Sequence, residues 1–520
     1  TLSLAGRIAA QPKGWDVSMT ARVPEITADA LLELWPPAAL EKTRDWVAKN
    51  VLDGVLQNVQ FGLRSEPDSR PDVLLSFDFE DLITTYMKTL PPLEAASGHA
   101  ELRGNRFVVT ADSGRVYVPG GEGLDIAGTS FIYPDTTQKG GPAEVRLHVR
   151  GALGDVLRLI DEEPLNLLGK AGRTPDMASG RADVTATLNF DLKKNLPPEE
   201  IGVAYSARLT DVRSDTIVPN QTFTAAALDV AGTSGDIAIV GDAQLGGLDI
   251  GGTWSAALGP DSGGRSRVEG WLGFSEAAAK QLNLGLPPGS IGGSTRAQIR
   301  LDIARDRAPE FRLTSDLRGL SVRLDSLAWS LGRDQSGTLE ITGALGAPPR
   351  IDRLVLDAPG LAATGTVSLR AGGGLDTARF DRVRIGSWLD APVVLSGRGK
   401  GAAPKVVVSG GSVDLRSLNL GKGGGEGGPL TLTLDRLQVS DSIAIRGMRG
   451  EFTTRGGLSG KFAGSVNGRA PVAGTVVPRG GRSAVRITSE QAGAVLSAAG
   501  LLKQGREGAL DLTLNPVGTA

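Results

Sequence analysis

The feature that most constrains this chain is a strict period of two. In 180–192, "GRADVTATLNFDL", Ala182, Val184, Ala186, Leu188, Phe190 and Leu192 share one parity. Arg181, Asp183, Thr185, Thr187, Asn189 and Asp191 take the other. Successive side chains of a β-strand point to opposite faces, so this is a strand with one dry and one wet face. Similar strips recur along the 520 residues: Phe107 and Val109, Val145 and Leu147, Ile299 and Leu301, and then Leu430, Leu432 and Leu434. Short runs are punctuated by Gly, Asn or Asp, the chemistry of tight turns. The 72 glycines and the 4% aromatic content suit many short strands joined this way. At ~12 residues per strand and turn, the non-helical length gives roughly 35 strands. That is too many for one sandwich. The fold class expected is mostly β: an elongated, strongly bent antiparallel sheet, groove-like and repetitive, with a few short capping helices.

The period changes in a few places. Within 27–50, Thr27 or Asp29 can cap a first helix, which Pro36 and Pro37 end; a second runs from about Ala38 to Asn50, with Gly54 as its stop. Further helices are expected near 154–169, near 275–284 with Ser275 as cap, and near 490–503. These breaks suggest an N-terminal β segment (1–175), a central groove segment (176–420) and a C-terminal β segment (429–520). The Gly-rich stretch 421–428, "GKGGGEGG", reads as a linker or loop.

Chemistry is sparse. The formal net charge is −2, and no run of Lys and Arg appears that would hold nucleic acid or an anionic membrane surface. Without cysteine there is neither a disulfide nor a thiolate nucleophile. The only histidines, His99 and His148, fall on polar parities and read as surface residues. No His/Cys cluster suggests a zinc site, and no EF-hand spacing a calcium loop. "RGKGAAPK" and "LGKGGGEGG" depart from the phosphate-loop pattern. Asp161, Glu162 and Glu163, like Glu199 and Glu200, read as solvated charge. No catalytic residue, metal site or cofactor is expected, and the chain reads as a non-enzyme. No stretch reaches 18 apolar residues, the length of a membrane-crossing helix.

The dry faces could close as sandwiches, fill a solenoid, or line an open groove. Exposed apolar surface on that scale needs an apolar occupant, and flexible acyl chains need greasy area without exact shape. Val184, Ala186, Leu188, Phe190, Val145, Leu147, Phe107, Val109, Ile299, Leu301, Leu430, Leu432 and Leu434 are the candidate lining. Trp35 and Trp46 are expected to plug the sheet with buried rings.

The segment "LLELWPPAALEKTRDWVAKNVLDGVLQNVQFGL" (31–63) carries Trp35, Pro36, Arg44, Trp46 and Gly54. It resembles the AsmA-like superfamily of Gram-negative envelope proteins, specifically the YhdP-type proteins with DUF3971 and AsmA-like C-terminal regions. "LPPLEAASGHAELRGNRFVV" (90–109) resembles the family's next strand pair. "SEQAGAVLSAAGLLKQGREGALDLTL" (489–514), with Ala492, Gly493, Leu496, Gly500 and Gly508, resembles its late segment. The resemblance implies bridge-like transport of phospholipid through an apolar β-groove across the periplasm. It implies acyl chains as ligand, and contact with inner and outer membranes through parts of the parent protein outside this chain. The chain is then expected to be a soluble internal fragment of a parent anchored in the inner membrane. The alternatives are a non-catalytic β-scaffold of the envelope whose apolar face is shut and, further off, a glycan-acting β-solenoid enzyme.

Overall fold

The computed structural model describes residues 2–515 except 88, 194–195, 260–261, 283–285, 287, 372, 400–401, 418–426 and 480–481. The chain is mostly β, as the alternation predicts: the described residues form 32 strands, nearly all paired antiparallel, with a few short helices. It divides into two units, Thr1–Gly264 and Arg265–Ala520.

The first unit is a meander. β1 (Ser3–Gln11), β2 (Gly14–Thr27), β3 (Val51–Ser65), β4 (Asp72–Thr84), β5 (Leu93–Arg103) and β6 (Arg106–Val116) each pair with the next. β6 pairs with both β7 (Leu124–Asp125) and β8 (Ser130–Tyr133), and these pair with β9 (Pro142–Ala152). β10 (Ser179–Asp191), β11 (Gly202–Val218), β12 (Gln221–Thr233), β13 (Asp236–Leu245) and β14 (Leu248–Ala257) continue the series. The division expected after residue 175 does not separate two bodies. It falls between β9 and β10, which stay in register from Arg181 opposite Ala152 to Asp191 opposite Pro142.

Two helical inserts leave this meander. α1 (Ala28–Leu34) and α2 (Glu41–Asn50) follow β2; α3 (Leu153–Asp161) and α4 (Leu167–Lys170) follow β9. Since β2 and β9 run the same way, both inserts leave from the same end of the strands. Thr27 Oγ1 caps α1 by accepting from the Ala30 amide at 3.3 Å. Arg44 ties α2 back to α1 by donating to the carbonyls of Leu32 (3.0 Å) and Trp35 (3.1 Å). Gly54 is not the stop of α2, which gives way to strand at Val51. It lies within β3 at φ +143°, where a Cβ would stand 2.9 Å from Leu82 Cδ1. Close approach of neighbouring strands explains this glycine.

In the second unit β15 (Ser266–Ser275), β16 (Ile291–Ile303) and β17 (Glu310–Ser315) pair in order. β18 (Leu320–Leu324) and β19 (Trp329–Leu331) form a small second sheet on the start of β16. The main ladder resumes with β20 (Thr338–Ala344) on β17, then β21 (Arg350–Ala358), β22 (Leu361–Leu369), β23 (Leu375–Ile385) and β24 (Leu389–Ser396). β25 (Lys405–Ser409) and β26 (Ser412–Asp414) share the edge of β24 and meet β27 (Pro429–Gln438) in parallel. The expected loop 421–428 lies, up to residue 426, outside the described residues. β28 (Ala444–Thr453), β29 (Ser459–Val466), β30 (Ala470–Arg479), β31 (Arg482–Ser489) and β32 (Leu510–Leu514) complete the ladder. α5 (Glu276–Gln281) follows β15, capped by Ser275 Oγ, and α6 (Ala492–Ala498) follows β31.

This unit has the larger core. α5 supplies Ala279, and β19 supplies Trp329 and Leu331. They join one buried cluster with Leu361, Ile385 and Leu389 from the main ladder. The Trp329 indole nitrogen donates to the Pro359 carbonyl at 2.8 Å, so its ring is buried without stranding a donor. Part of the glycine content has its explanation here. A Cβ on Gly474 would come within 2.3 Å of the Phe462 ring, and one on Gly450 within 2.4 Å of the Phe452 ring. Phenyl rings cover backbone that carries no side chain, so few aromatics are needed to close the face.

Candidate functional site

Directly paired residues of adjacent strands project to the same side of a sheet. In the first unit this carries the dry parity from strand to strand. Val109 lies opposite Phe131, Phe131 opposite Val145, Val145 opposite Leu188, and Leu188 opposite Val203. One step along, Leu147, Ala186, Tyr205, Gly232 and Ile237 form the next row. Val149, Val184, Ala207, Val230, Ile239 and Trp254 form another. Phe107 opposite Tyr133 and Phe190 opposite Ala143 extend the same face. The eight expected lining residues of this unit therefore share one apolar surface. Most of it is half-buried: Phe107, Val109, Val145, Leu147, Val184, Ala186, Leu188 and Phe190 all keep some solvent contact, while Asp183, Thr185 and Asn189 on the reverse are exposed.

One end of this face is covered. Val156 and Leu157 of α3 pack on Ala182, Val212, Ala225 and Leu228, and Leu159 packs on Ala111, Val116 and Ile126. The buried Asp155 fastens α3, accepting from the Glu122 amide at 2.8 Å and from Arg158 Nη1 at 2.9 Å. At the first edge strand the face is bare. Leu4 pairs with Ala21 and Ile8 with Val17, and the Ile8 side chain is 70% exposed.

In the second unit Ile299 and Leu301 oppose Leu313 and Phe311 on the inner face, half-buried. Leu430 and Leu432 oppose Phe452 and Gly450 on that face and are also half-buried. Leu434 does not line an accessible surface. It is 1% exposed and belongs to the core cluster, opposite Met448. Trp46 is not a buried plug either: it is 53% exposed, since its own helix α2 buries no side chain. Trp35 is half-buried, its indole nitrogen donating to the Ala39 carbonyl at 2.7 Å. Among the described residues the buried tryptophan is Trp329, 8% exposed, in the three-residue strand β19. Sequence reading also passed over Phe131, Tyr205 and Trp254. Their parity was legible, but their place beside Val145 and Ala186 depended on register.

The wet faces are laced with exposed ion pairs. Arg208 donates to Asp229 at 2.5 Å, and Arg267 to Asp302 at 2.7 Å. Hydrogen bonding from Arg267 holds the Asp302 carboxyl below its ordinary value, and Arg382 does the same for Asp390. His148 Nε2 lies 2.9 Å from Asp183 Oδ1, and His99 Nδ1 lies 3.6 Å from Asp112 Oδ2. Among the described residues, no group of three His, Asp or Glu is arranged to hold a metal ion, and no helix is long and apolar enough to cross a membrane. No protein-family model, curated protein or solved structure matches the chain.

Proposed function

We propose that the chain carries phospholipid, with acyl chains lying on the inner apolar face of the first unit, as part of a bridge-like transporter of the Gram-negative envelope. The observation that supports this is the continuous, half-buried apolar surface from Val109 through Phe131, Val145 and Leu188 to Val203. Hydrophobic surface of this extent is unfavourable in water, and an acyl chain removes it from water. Aliphatic side chains contribute area without demanding one ligand shape. Residues such as Leu188 have no hydrogen bonding to offer, so the face is suited to holding and passing hydrocarbon, without covalent chemistry. On the same reading the chain is not an enzyme, works in the periplasm, and belongs with the AsmA-like proteins it resembles.

Photocrosslinking side chains test the reading. Installed at Leu188 and Phe190 they should capture lipid in the envelope, while at Thr187 and Asn189, on the opposite parity, they should not. Equal labelling of both parities overturns it. The closed core around Leu434 favours a second reading, a scaffold whose apolar face is shut. Detergent-free purification separates the two: a carrier brings lipid with it and a scaffold does not.

A further inference from the structure

The near-zero net charge conceals a division at the boundary between the two units. Thr1–Gly264 holds 23 Lys and Arg against 36 Asp and Glu, a net −13; Arg265–Ala520 holds 33 against 22, a net +11. In the second unit many carboxylates are already neutralised. Asp302 pairs with Arg267 and Arg300, Glu340 with Arg312, Asp390 with Arg382, Asp414 and Asp441 with Arg416, and Asp511 with Arg486. Part of the remaining positive charge is arginine on the outer face. Arg436 and Arg446 stand directly opposite one another on β27 and β28, a like-charge pairing that costs stability. Arg449 follows on β28, and Arg384 lies in the same cross-strand row on β23, opposite Asp390. All four are exposed; Arg384 helps hold down the Asp390 carboxyl, and Arg446 and Arg449 have no ion pair among the described residues. The Arg436 guanidinium donates to the Gln438 side chain at 2.8 Å and helps hold down the Asp414 carboxyl.

We infer that the outer face of β23–β28, centred on Arg436, Arg446 and Arg449, docks on an anionic, phosphate-bearing membrane surface. A guanidinium presents a planar fork of donors that matches phosphate oxygens. Forks spread over a sheet face suit a surface of repeating phosphates better than a single ion in a pocket. The inference rests on the reading of the chain as a lipid carrier, since a carrier must meet a bilayer. It adds polarity to that reading: the basic unit attaches, and the acidic unit is repelled from the same surface. The first unit, a second source of negative charge, is the occupant if two copies associate instead.

The test is flotation of the full chain with vesicles of phosphatidylcholine alone or mixed with phosphatidylglycerol. Binding should require phosphatidylglycerol and fall steeply as salt is raised. Arg436→Gln/Arg446→Gln/Arg449→Gln should weaken it by on the order of 100-fold, from roughly five-fold per arginine. The single variant Arg446→Glu serves as the folding control. It places opposite charges across the strand pair, so it should unfold no earlier than the wild type and still bind more weakly. Equal binding to neutral vesicles, or undiminished binding by the triple variant, overturns the inference. Salt-sensitive self-association without vesicle binding overturns it in favour of a second copy. Crosslinking of lipid at Leu188 reads the carrier function separately, so either can fail while the other stands.

Discussion

Leu188 and Leu434 occupy the same kind of position, the dry parity of a strand flanked on both sides, yet their fates differ. Leu188, between Val145 and Val203, keeps contact with solvent; Leu434 has almost none. The second unit lays α5 and the β18–β19 sheet among its buried residues, with phenyl rings turned over glycines. The first unit lays α3 over the end of the face, and the rows around Leu147 and Leu188 stay half-buried. The difference teaches that alternation produces an apolar face but does not cover it. Coverage depends on the few segments that break the alternation and on where their side chains reach.

The sharpest way to break this comparison uses two tryptophans. Trp329→Ala should cost ~3–5 kcal/mol, because the ring fills the second unit's core and leaves a cavity. Trp46→Ala should stay within ~0.5 kcal/mol of the wild type, as for an exposed side chain. Urea unfolding of both variants reads the difference, and comparable losses would remove it.

Next in size are the two leucines. Leu434→Ala should cost ~2–5 kcal/mol as a full core truncation. Leu188→Ala should cost less than half as much, because part of the side chain is already in water. If calorimetry gives the two equal losses, the first unit's face is covered as well as the second's.

A smaller effect sharpens the account of closure. Gly474→Ala pushes a methyl against the Phe462 ring and should cost ~1–3 kcal/mol. Combining it with Phe462→Leu should recover part of that loss. A strictly additive double variant would show that the ring does not depend on the glycine.

The smallest effect is electrostatic. Arg382 holds the Asp390 carboxyl below its ordinary 3.8. A carboxyl depressed in the fold stabilises it above the unfolded value and loses that contribution as pH falls from about 3.8 through the lower folded value. Both partners are exposed, so the loss is slight. Asp390→Asn should lower the neutral plateau of the stability curve a little and leave its acid end in place, which flattens the acid limb. A variant curve parallel to the wild type through the acid range would assign this pair no role.

Particular residues show how far the sequence could be read. Thr27 and Ser275 cap helices where their spacing placed them, because a cap is a contact within one turn. The parity of 182–190 holds through the whole strand for the same local reason. Gly54 looked like a helix stop because glycine is common there; its cause is Leu82, 28 residues further on. Trp46 looked like a plug because large rings are usually buried, but its helix α2 offers the ring no buried surface. The arginine face escaped notice because no run of basic residues carries it. Arg384, Arg436 and Arg446 are scattered in the chain and gathered by the ladder.

By itself the sequence determined that this chain is a β-sheet protein with a dry and a wet side, and where the capped helices α1 and α5 begin. Those properties depend on the period of side-chain direction and on capping bonds a few residues long. Only the tertiary structure decided which stretches of the dry side stay half-open, where the two units divide, and where arginines collect on the outer face. Each of these depends on strand register and on contacts between residues far apart in the chain, which no local pattern encodes.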